Sequence, residues 1–293
     1  MDKPYIIFNP AAGSARRRDD IRRQLRELQP AALRTTRGKG EAEKWARNAR
    51  ASKACVIIVA GGDGTLNEVV NGLGNSAHKA CVGLIPLGTG NDFARTLGLP
   101  LSIEENIQII RSGKTVRIDL VRVKSKRTRY FVNVSAGGFS GMVDEKITRR
   151  IKRTWGPLAY VRGAAAALPN LHAYKTEIVL DDQVRFSAEL YNVVVANGRF
   201  VAGGLPIAPT ADPSDGKLEV VLIPKLGAAE MALLAAEIVL GKHLSSNATI
   251  FRQAKKIAVR SRPGMCFNVD GELVGNAPAV FQILPRALNF IVK

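Results

Sequence analysis

The chain has 293 residues, 46% of them hydrophobic and 23% charged, and 43 Lys and Arg against 25 Asp and Glu give a formal net charge of +18. That length suffices for two domains with sizeable cores, and the apolar fraction is that of a soluble globular protein. The excess positive charge calls for an anionic partner: nucleic acid, a membrane surface or a phosphorylated substrate. No apolar run is long enough to cross a bilayer, since the best stretch, residues 228–240, is short and contains Glu230 and Glu237. Met1-Asp2-Lys3-Pro4 leads straight into an apolar strand, so no secretory leader is expected. Cys55, Cys81 and Cys266 lack metal-ligand spacing and point to a reducing cytoplasm. An aromatic content of 6%, without an aromatic and basic strand pattern, gives little support to single-stranded nucleic-acid binding, and charge alone does not choose among the anionic partners.

In chain order, Tyr5-Ile6-Ile7-Phe8 reads as a strand ended by the loop Asn9-Pro10-Ala11-Ala12-Gly13-Ser14. Ile21, Leu25 and Leu28 mark the apolar face of an otherwise basic helix. A second strand is expected over residues 33–35, then a helix with Ala42, Trp45, Ala46 and Ala49 on one side. Val56-Ile57-Ile58-Val59-Ala60 is a buried third strand. It runs into Gly61-Gly62-Asp63-Gly64-Thr65-Leu66-Asn67-Glu68, and the spacing of Leu66, Val69, Val70 and Leu73 predicts a helix starting near Thr65. Val82-Gly83-Leu84-Ile85-Pro86 is the fourth strand, followed by Leu87-Gly88-Thr89-Gly90-Asn91-Asp92. This alternation, through about residue 112, predicts an α/β N-terminal domain whose parallel sheet is covered on both faces. Ligands of such sheets collect at the carboxyl ends of the strands.

From about residue 116 the rhythm changes. Strands are expected over residues 116–123, 130–134, 176–180, 188–196, 218–223, 257–259 and 280–284, with helices inside 142–168 and over 228–240. This pattern predicts a β-sandwich-like C-terminal domain with inserted helices. The domains are drawn as 1–120 and 121–293, with the last strand free to return to the first.

Three glycines at a strand-to-helix turn let the backbone approach a bulky anion, and the positive end of the helix adds to the attraction. Asp63 would repel a bare phosphate. It therefore either touches magnesium carried on the phosphates or handles a proton, unless the turn is plain and Asp63 is only a surface acid. A P-loop is excluded: Gly113-Lys114-Thr115 has Gln108 where the first glycine belongs, and Gly88 is followed by Thr89 instead of Lys. The protein-kinase set is missing, and no dinucleotide fingerprint follows the first strand.

The ordered set Asn9-Pro10 with Gly13, Gly61-Gly62-Asp63-Gly64-Thr65, Pro86-Leu87-Gly88-Thr89-Gly90-Asn91-Asp92-Phe93-Ala94-Arg95 and Val269-Asp270-Gly271-Glu272 resembles the diacylglycerol kinase catalytic-domain family. More closely, it is similar to that family's soluble bacterial lipid kinases, almost from end to end. The resemblance implies a first domain of the NAD kinase and diacylglycerol kinase type. It implies ATP held by Asn9, Thr36, Gly61, Gly62, Asp63, Gly64, Thr65, Asn67 and Thr89, each offering backbone N–H groups or a short polar side chain. Strand-end capping is the plainer role for Asn9 and Thr36.

The resemblance further implies that Asp63 acts through Mg2+ on the β- and γ-phosphates, with Asp92 and Asp119 in the metal network. Asp92 equally suits a helix cap. Glu272 is implied as the general base for the acceptor hydroxyl; alternatively it is a solvated residue leaving an Asp270-Gly271 hairpin turn. A second, structural Mg2+ is implied in Asp212-Pro213-Ser214-Asp215-Gly216-Lys217, held by the Asp215 carboxylate and the main-chain carbonyls of Asp212 and Lys217, unless this is an ordinary β-turn.

The function implied is an ATP-dependent lipid kinase, cytoplasmic and peripherally bound to an anionic membrane surface, with a homodimer left open. Diacylglycerol is the expected acceptor, and phosphatidylglycerol, a sphingoid base or ceramide are alternatives. A kinase for a soluble alcohol such as NAD, and a basic nucleic-acid-binding protein with an inactive nucleotide fold, are the rivals. Membrane docking is expected from the basic clusters at residues 16–18, 22–23, 124–129 and 149–153, with residues 155–161 at the lipid entrance.

Overall fold

The computed structural model describes residues 3–13, 18–138, 171–276 and 278–293. The helix expected within 142–168, the basic run 149–153 and the segment 155–161 lie outside the described residues. Two compact units are present: one from Met1–Leu120, Tyr130–Val132 and Leu284–Lys293, the other from Val121–Arg129 and Asn133–Ile283.

In the first unit, β1 (Tyr5–Phe8), β2 (Ala32–Thr35), β3 (Val56–Gly61) and β4 (Cys81–Pro86) form a parallel sheet. β1 lies between β2 and β3, and β4 is on the far side of β3. Beyond β4 lies the end of β15 (Ala279–Ile291), with Asn289 opposite Cys81 and Phe290 opposite Val82. The period of two along β3 sorts its side chains between two cores. Ile57 and Val59 pack with Leu66, Val69, Leu84 and Phe93; Ile58 and Ala60 pack with Ile6, Phe8, Ile85, Ile107 and Ile110. Burial on both faces is why these strands are continuous apolar runs.

The crossover helices are α1 (Arg18–Arg26), α2 (Glu41–Ala51), α3 (Asp63–Leu73), the short α4 (Asp92–Thr96) and α5 (Ile103–Ser112). α3 begins two residues earlier than its apolar spacing predicts, because the Gly62 carbonyl accepts from the N–H groups of Thr65 and Leu66 and so draws Asp63 and Gly64 into the first turn. An acid there also suits the positive end of the helix. Asn71 on α3 brackets Tyr130, donating to its carbonyl (2.8 Å) and accepting from its N–H (2.9 Å).

The second unit is antiparallel. Its strands are β5 (Thr115–Lys124), which begins in the first unit, then β6 (Thr128–Phe131), which ends in the first unit, β7 (Val134–Gly138), β8 (Tyr174–Leu180), β9 (Val184–Ala196), β10 (Leu218–Pro224), β11 (Ile250–Ala254), β12 (Lys256–Arg262), β13 (Phe267–Val269) and β14 (Glu272–Leu273), with the start of β15. β9 changes neighbours part-way: Val184 to Leu190 face β8, and Asn192 to Ala196 lie between β7 and β10. α6 (Ala228–Val239) packs Met231 and Leu234 against Ile223. Among the described residues no helix is long and apolar enough to cross a membrane.

Two strand expectations need correction. Residues 130–134 are not one strand: the chain bends between β6 and β7, where the Asp270 carboxylate accepts from the N–H groups of Asn133 (3.4 Å) and Val134 (2.9 Å). β15 also continues well past residue 284. Pro285 and the positive φ of Arg286 (52°) hide it from an alternation count. The buried Asp119 carboxylate bridges this irregularity by accepting the Arg286 N–H at 2.7 Å, so Asp119 is a backbone brace.

Candidate active site

The loops after β1, β3 and β4 converge at the carboxyl ends of the parallel strands. The Asn9 N–H donates to the Ala60 carbonyl (2.9 Å), and the Leu87 N–H donates to the Gly61 carbonyl (2.9 Å). The Asn9 side-chain amide donates to the Thr65 hydroxyl at 2.9 Å, tying the first loop to the glycine turn, while its Oδ1 accepts from the Ala11 N–H. Thr36, buried at the end of β2, donates its N–H to the Phe8 carbonyl. Strand-end bonding at Asn9 and Thr36 is therefore present.

The glycines have separate reasons. A Cβ at Gly61 would lie 2.6 Å from the Thr65 Cβ, and one at Gly88 would lie 2.7 Å from the Gly62 Cα, so two glycine turns pack backbone to backbone. Gly64 differs: it is exposed, and nothing lies within 4 Å of where its Cβ would be. Crowding inside the protein does not explain a glycine at this position. The first N–H groups of a helix lack intrahelical acceptors, and at α3 they belong to Asp63 and Gly64, the ordinary setting for an oxyanion.

Asp63 joins the two turns. Its Oδ2 accepts from the Asp92 N–H and its Oδ1 from the Phe93 N–H, both at 3.1 Å, so it caps α4 from the turn after the neighbouring strand. Asn91 closes the second turn, accepting from the Gly88 N–H (2.9 Å) and donating to the Gly88 carbonyl (2.8 Å). Thr89 is exposed at the tip of that turn, whereas Asn67 is buried and its Oδ1 accepts from Asn71. Glu68 carries a role the sequence did not suggest: its carboxylate accepts from the N–H groups of Gly40 (2.9 Å) and Ala42 (3.0 Å) and caps α2. Asp63→Ala is expected to cost about 1 kcal/mol through the lost cap alone, read as a shift in the urea midpoint. An unchanged midpoint contradicts the clamp.

Among the described residues no group of three His, Cys, Asp or Glu side chains is arranged to hold a metal. Magnesium on a triphosphate needs only one or two protein carboxylates. Asp63 fits that need, because its two backbone bonds use part of the roughly four lone-pair sites of a carboxylate. At the other loop, Asp215 Oδ1 accepts from the Lys217 N–H (2.9 Å), Asp212 Oδ1 from the Ser214 N–H (2.9 Å), and the Asp212 carbonyl from the Asp215 N–H (3.3 Å). That turn closes on its own N–H groups.

Next to it, burial pushes the Glu219 carboxyl above the ordinary carboxylate range. The Asp215 charge adds to this, while the Thr210 hydroxyl, Gln253 and Arg199 pull the other way. Between the unfolded and the folded pKa the native state holds this proton more tightly than the unfolded chain, so this contribution to stability is fullest below a pH of about 4.5 and is lost as pH rises through the folded pKa. Glu219→Gln is expected to remove that decline and raise the melting temperature at pH 7. A lower melting temperature contradicts it.

In the second unit, Asp270 (φ 44°) and Gly271 (φ 92°) form the two-residue turn between β13 and β14, the primed geometry favoured by Asp-Gly. Glu272 leaves this turn opposite Val269. It is not a solvated turn residue: its side chain is 16% exposed, and Oε2 accepts from both Nε (3.1 Å) and Nη2 of Arg129. Sequence reading placed Arg129 in a basic cluster expected to dock on a membrane. The available signal was its position two residues before the buried Phe131 on β6, which puts both on one face.

Comparison with known proteins agrees with the motifs. Residues 3–123 match the family described as diacylglycerol kinase catalytic domain, and residues 133–292 match the YegS C-terminal NAD kinase beta sandwich-like domain. A diacylglycerol kinase of Staphylococcus haemolyticus is 34% identical over 97% of this chain and 86% of its own length. One from Staphylococcus aureus is 32% identical over 97% of this chain and 90% of its own. A crystal structure of a diacylglycerol kinase candidate from Bacillus anthracis superposes with a TM-score of 0.84 at 26% identity, covering 100% of this chain and 95% of the other. Yeast NADH kinase shares the fold at a TM-score of 0.59 and 11% identity, covering 99% of this chain and 83% of its own. The fold is therefore the expected one, a parallel NAD kinase-like sheet followed by an antiparallel sandwich-like region. The chain belongs to the diacylglycerol kinase catalytic-domain family, and with it to the lipid kinases.

Proposed function

We propose that the protein transfers the γ-phosphate of ATP to the primary hydroxyl of diacylglycerol, giving phosphatidic acid and ADP. The observation that carries this is the exposed, uncrowded Gly64 at the start of α3, held in place by the loops after β1 and β4. Backbone N–H groups of the Gly61–Thr65 turn bind the phosphates, with Asn9, Thr36 and Thr89 around them. Asp63 would hold magnesium carried by the triphosphate, and that ion would supply charge neutralisation on the β- and γ-oxygens. Glu272 accepts the proton of the acceptor hydroxyl as its oxygen bonds to the γ-phosphorus and the bond to the β,γ-bridging oxygen breaks. A cation at Asp212, Asp215 and Lys217 would stiffen that turn and takes no part in the transfer.

The acceptor is reached at an anionic bilayer. Lys124, Lys126 and Arg127 lie on or beside β5 and β6, and each basic residue near such a surface contributes on the order of 1 kcal/mol. Five or six such contacts support reversible docking, so vesicle binding is expected to rise with anionic lipid and fall with salt.

The test is incubation with γ-labelled ATP, magnesium and separate acceptors: diacylglycerol, phosphatidylglycerol, a sphingoid base, ceramide and NAD. Label in phosphatidic acid is the expected result. Label in another phospholipid corrects the acceptor, and label only in a phosphorylated NAD overturns lipid specificity.

A further inference from the structure

The acid Glu272 stands on a strand of two residues, one step beyond a tight turn, and its neighbours are basic. Besides the Arg129 pair, Arg127 donates to the Leu273 carbonyl at 3.4 Å, and the Lys126 stem lies against Gly275, where a Cβ would be 3.2 Å from Lys126 Cδ. The turn itself is anchored through Asp270 to β7, and the Gly271 N–H donates to Asn268 Oδ1 at 2.7 Å. The backbone under Glu272 is therefore fixed by contacts that do not involve its own side chain. What remains to be fixed is the carboxylate, and Arg129 brings two donors to one of its oxygens. Both side chains are mostly buried, at 17% and 16% exposure, so this is no solvent-screened surface pair. A guanidinium fork restrains direction as well as charge, which lysine does not do equally.

We infer that Arg129 is a positioning residue that sets the orientation of the Glu272 carboxylate toward the acceptor hydroxyl, an inference that rests on the assignment of Glu272 as the base. Two N–H groups on Oε2 use part of the carboxylate's acceptor capacity and leave capacity for a proton. Loss of the fork frees the side chain to rotate, and displacement of a reacting group by about 1 Å costs up to about 10²-fold in rate.

The experiment compares Arg129→Gln, Arg129→Lys, Glu272→Gln and the double variant R129Q/E272Q. It reads kcat and both KM values for phosphorylation of diacylglycerol in mixed micelles, with melting temperature as the measure of folding. Arg129→Gln is expected to lower kcat by about 10–100-fold with the ATP KM unchanged, and Arg129→Lys to recover part of it. In the Glu272→Gln background, Arg129→Gln is expected to cost nothing more. A folded Arg129→Gln or Arg129→Lys enzyme with wild-type kcat beside an inactive Glu272→Gln overturns the inference and leaves the base assignment standing. Additive losses in the double variant overturn it as well. Wild-type kcat in Glu272→Gln overturns the base assignment, and the inference with it.

Discussion

Glu272→Gln is expected to lower kcat for lipid phosphorylation by about 10²–10⁴-fold, with the ATP KM within about threefold of wild type. The two side chains have the same shape, and the glutamine carbonyl can still accept from Arg129, but an amide does not take up a proton at neutral pH. The Asp270-Gly271 turn is held by Asp270 on the N–H groups of Asn133 and Val134 and by Asn268 on Gly271, none of which the substitution touches. The protein should therefore fold, with a stability loss on the order of 1–3 kcal/mol from the weakened ion pair. Circular dichroism and urea unfolding separate that loss from the loss of turnover. Turnover within threefold of wild type in the folded variant removes Glu272 from the chemistry.

Gly64→Ala is expected to separate stability from nucleotide binding. Gly64 lies in the first turn of α3 at a negative φ with open space around it, so alanine fits and raises stability by about 0.5 kcal/mol. If triphosphate rests on that turn, the new methyl group stands where the phosphate approaches, and the ATP KM is expected to rise by at least about tenfold. Gly61→Ala provides the contrast. Its Cβ would fall 2.6 Å from the Thr65 Cβ, and the forced shift of Thr65 costs about 1–3 kcal/mol as well as the Asn9 hydrogen bond. Calorimetric ATP titration and thermal unfolding read both quantities. A Gly64→Ala protein that is more stable and binds ATP as tightly as wild type places the nucleotide elsewhere.

The first unit was the more legible from sequence, for a physical reason. Strands such as Val56–Gly61, buried on both faces, write continuous apolar runs, and each glycine turn follows such a run directly. In the second unit most of the strand pattern survived, yet β11 was overlooked because Phe251 and Ile250 are only half-buried beside exposed Arg252 and Gln253. The bend between β6 and β7 was invisible because its cause, Asp270, is more than 130 residues away.

The same limit applies to the candidate site. Gly61, Gly62, Gly64 and Asp63 announced themselves by type and spacing. What wires them together did not: the hold of Asp63 on Asp92 and Phe93, of Asn91 on Gly88, of Glu68 on the start of α2, and of Arg129 on Glu272. Each is a side-chain acceptor or donor meeting a group that only the folded chain brings near. Asp119 shows the same limit, since its hold on the Arg286 N–H spans 167 positions of sequence.

The most direct measurement is a crystal structure of the protein with magnesium and a non-hydrolysable ATP analogue. The β- and γ-phosphates are predicted within hydrogen-bonding distance of the N–H groups of the Gly61–Thr65 turn, with the metal against Asp63. Phosphates bound instead in the cationic depression of about 570 Å³ lined by Lys3, Arg22 and Arg26, with the glycine turn bare, would contradict the account.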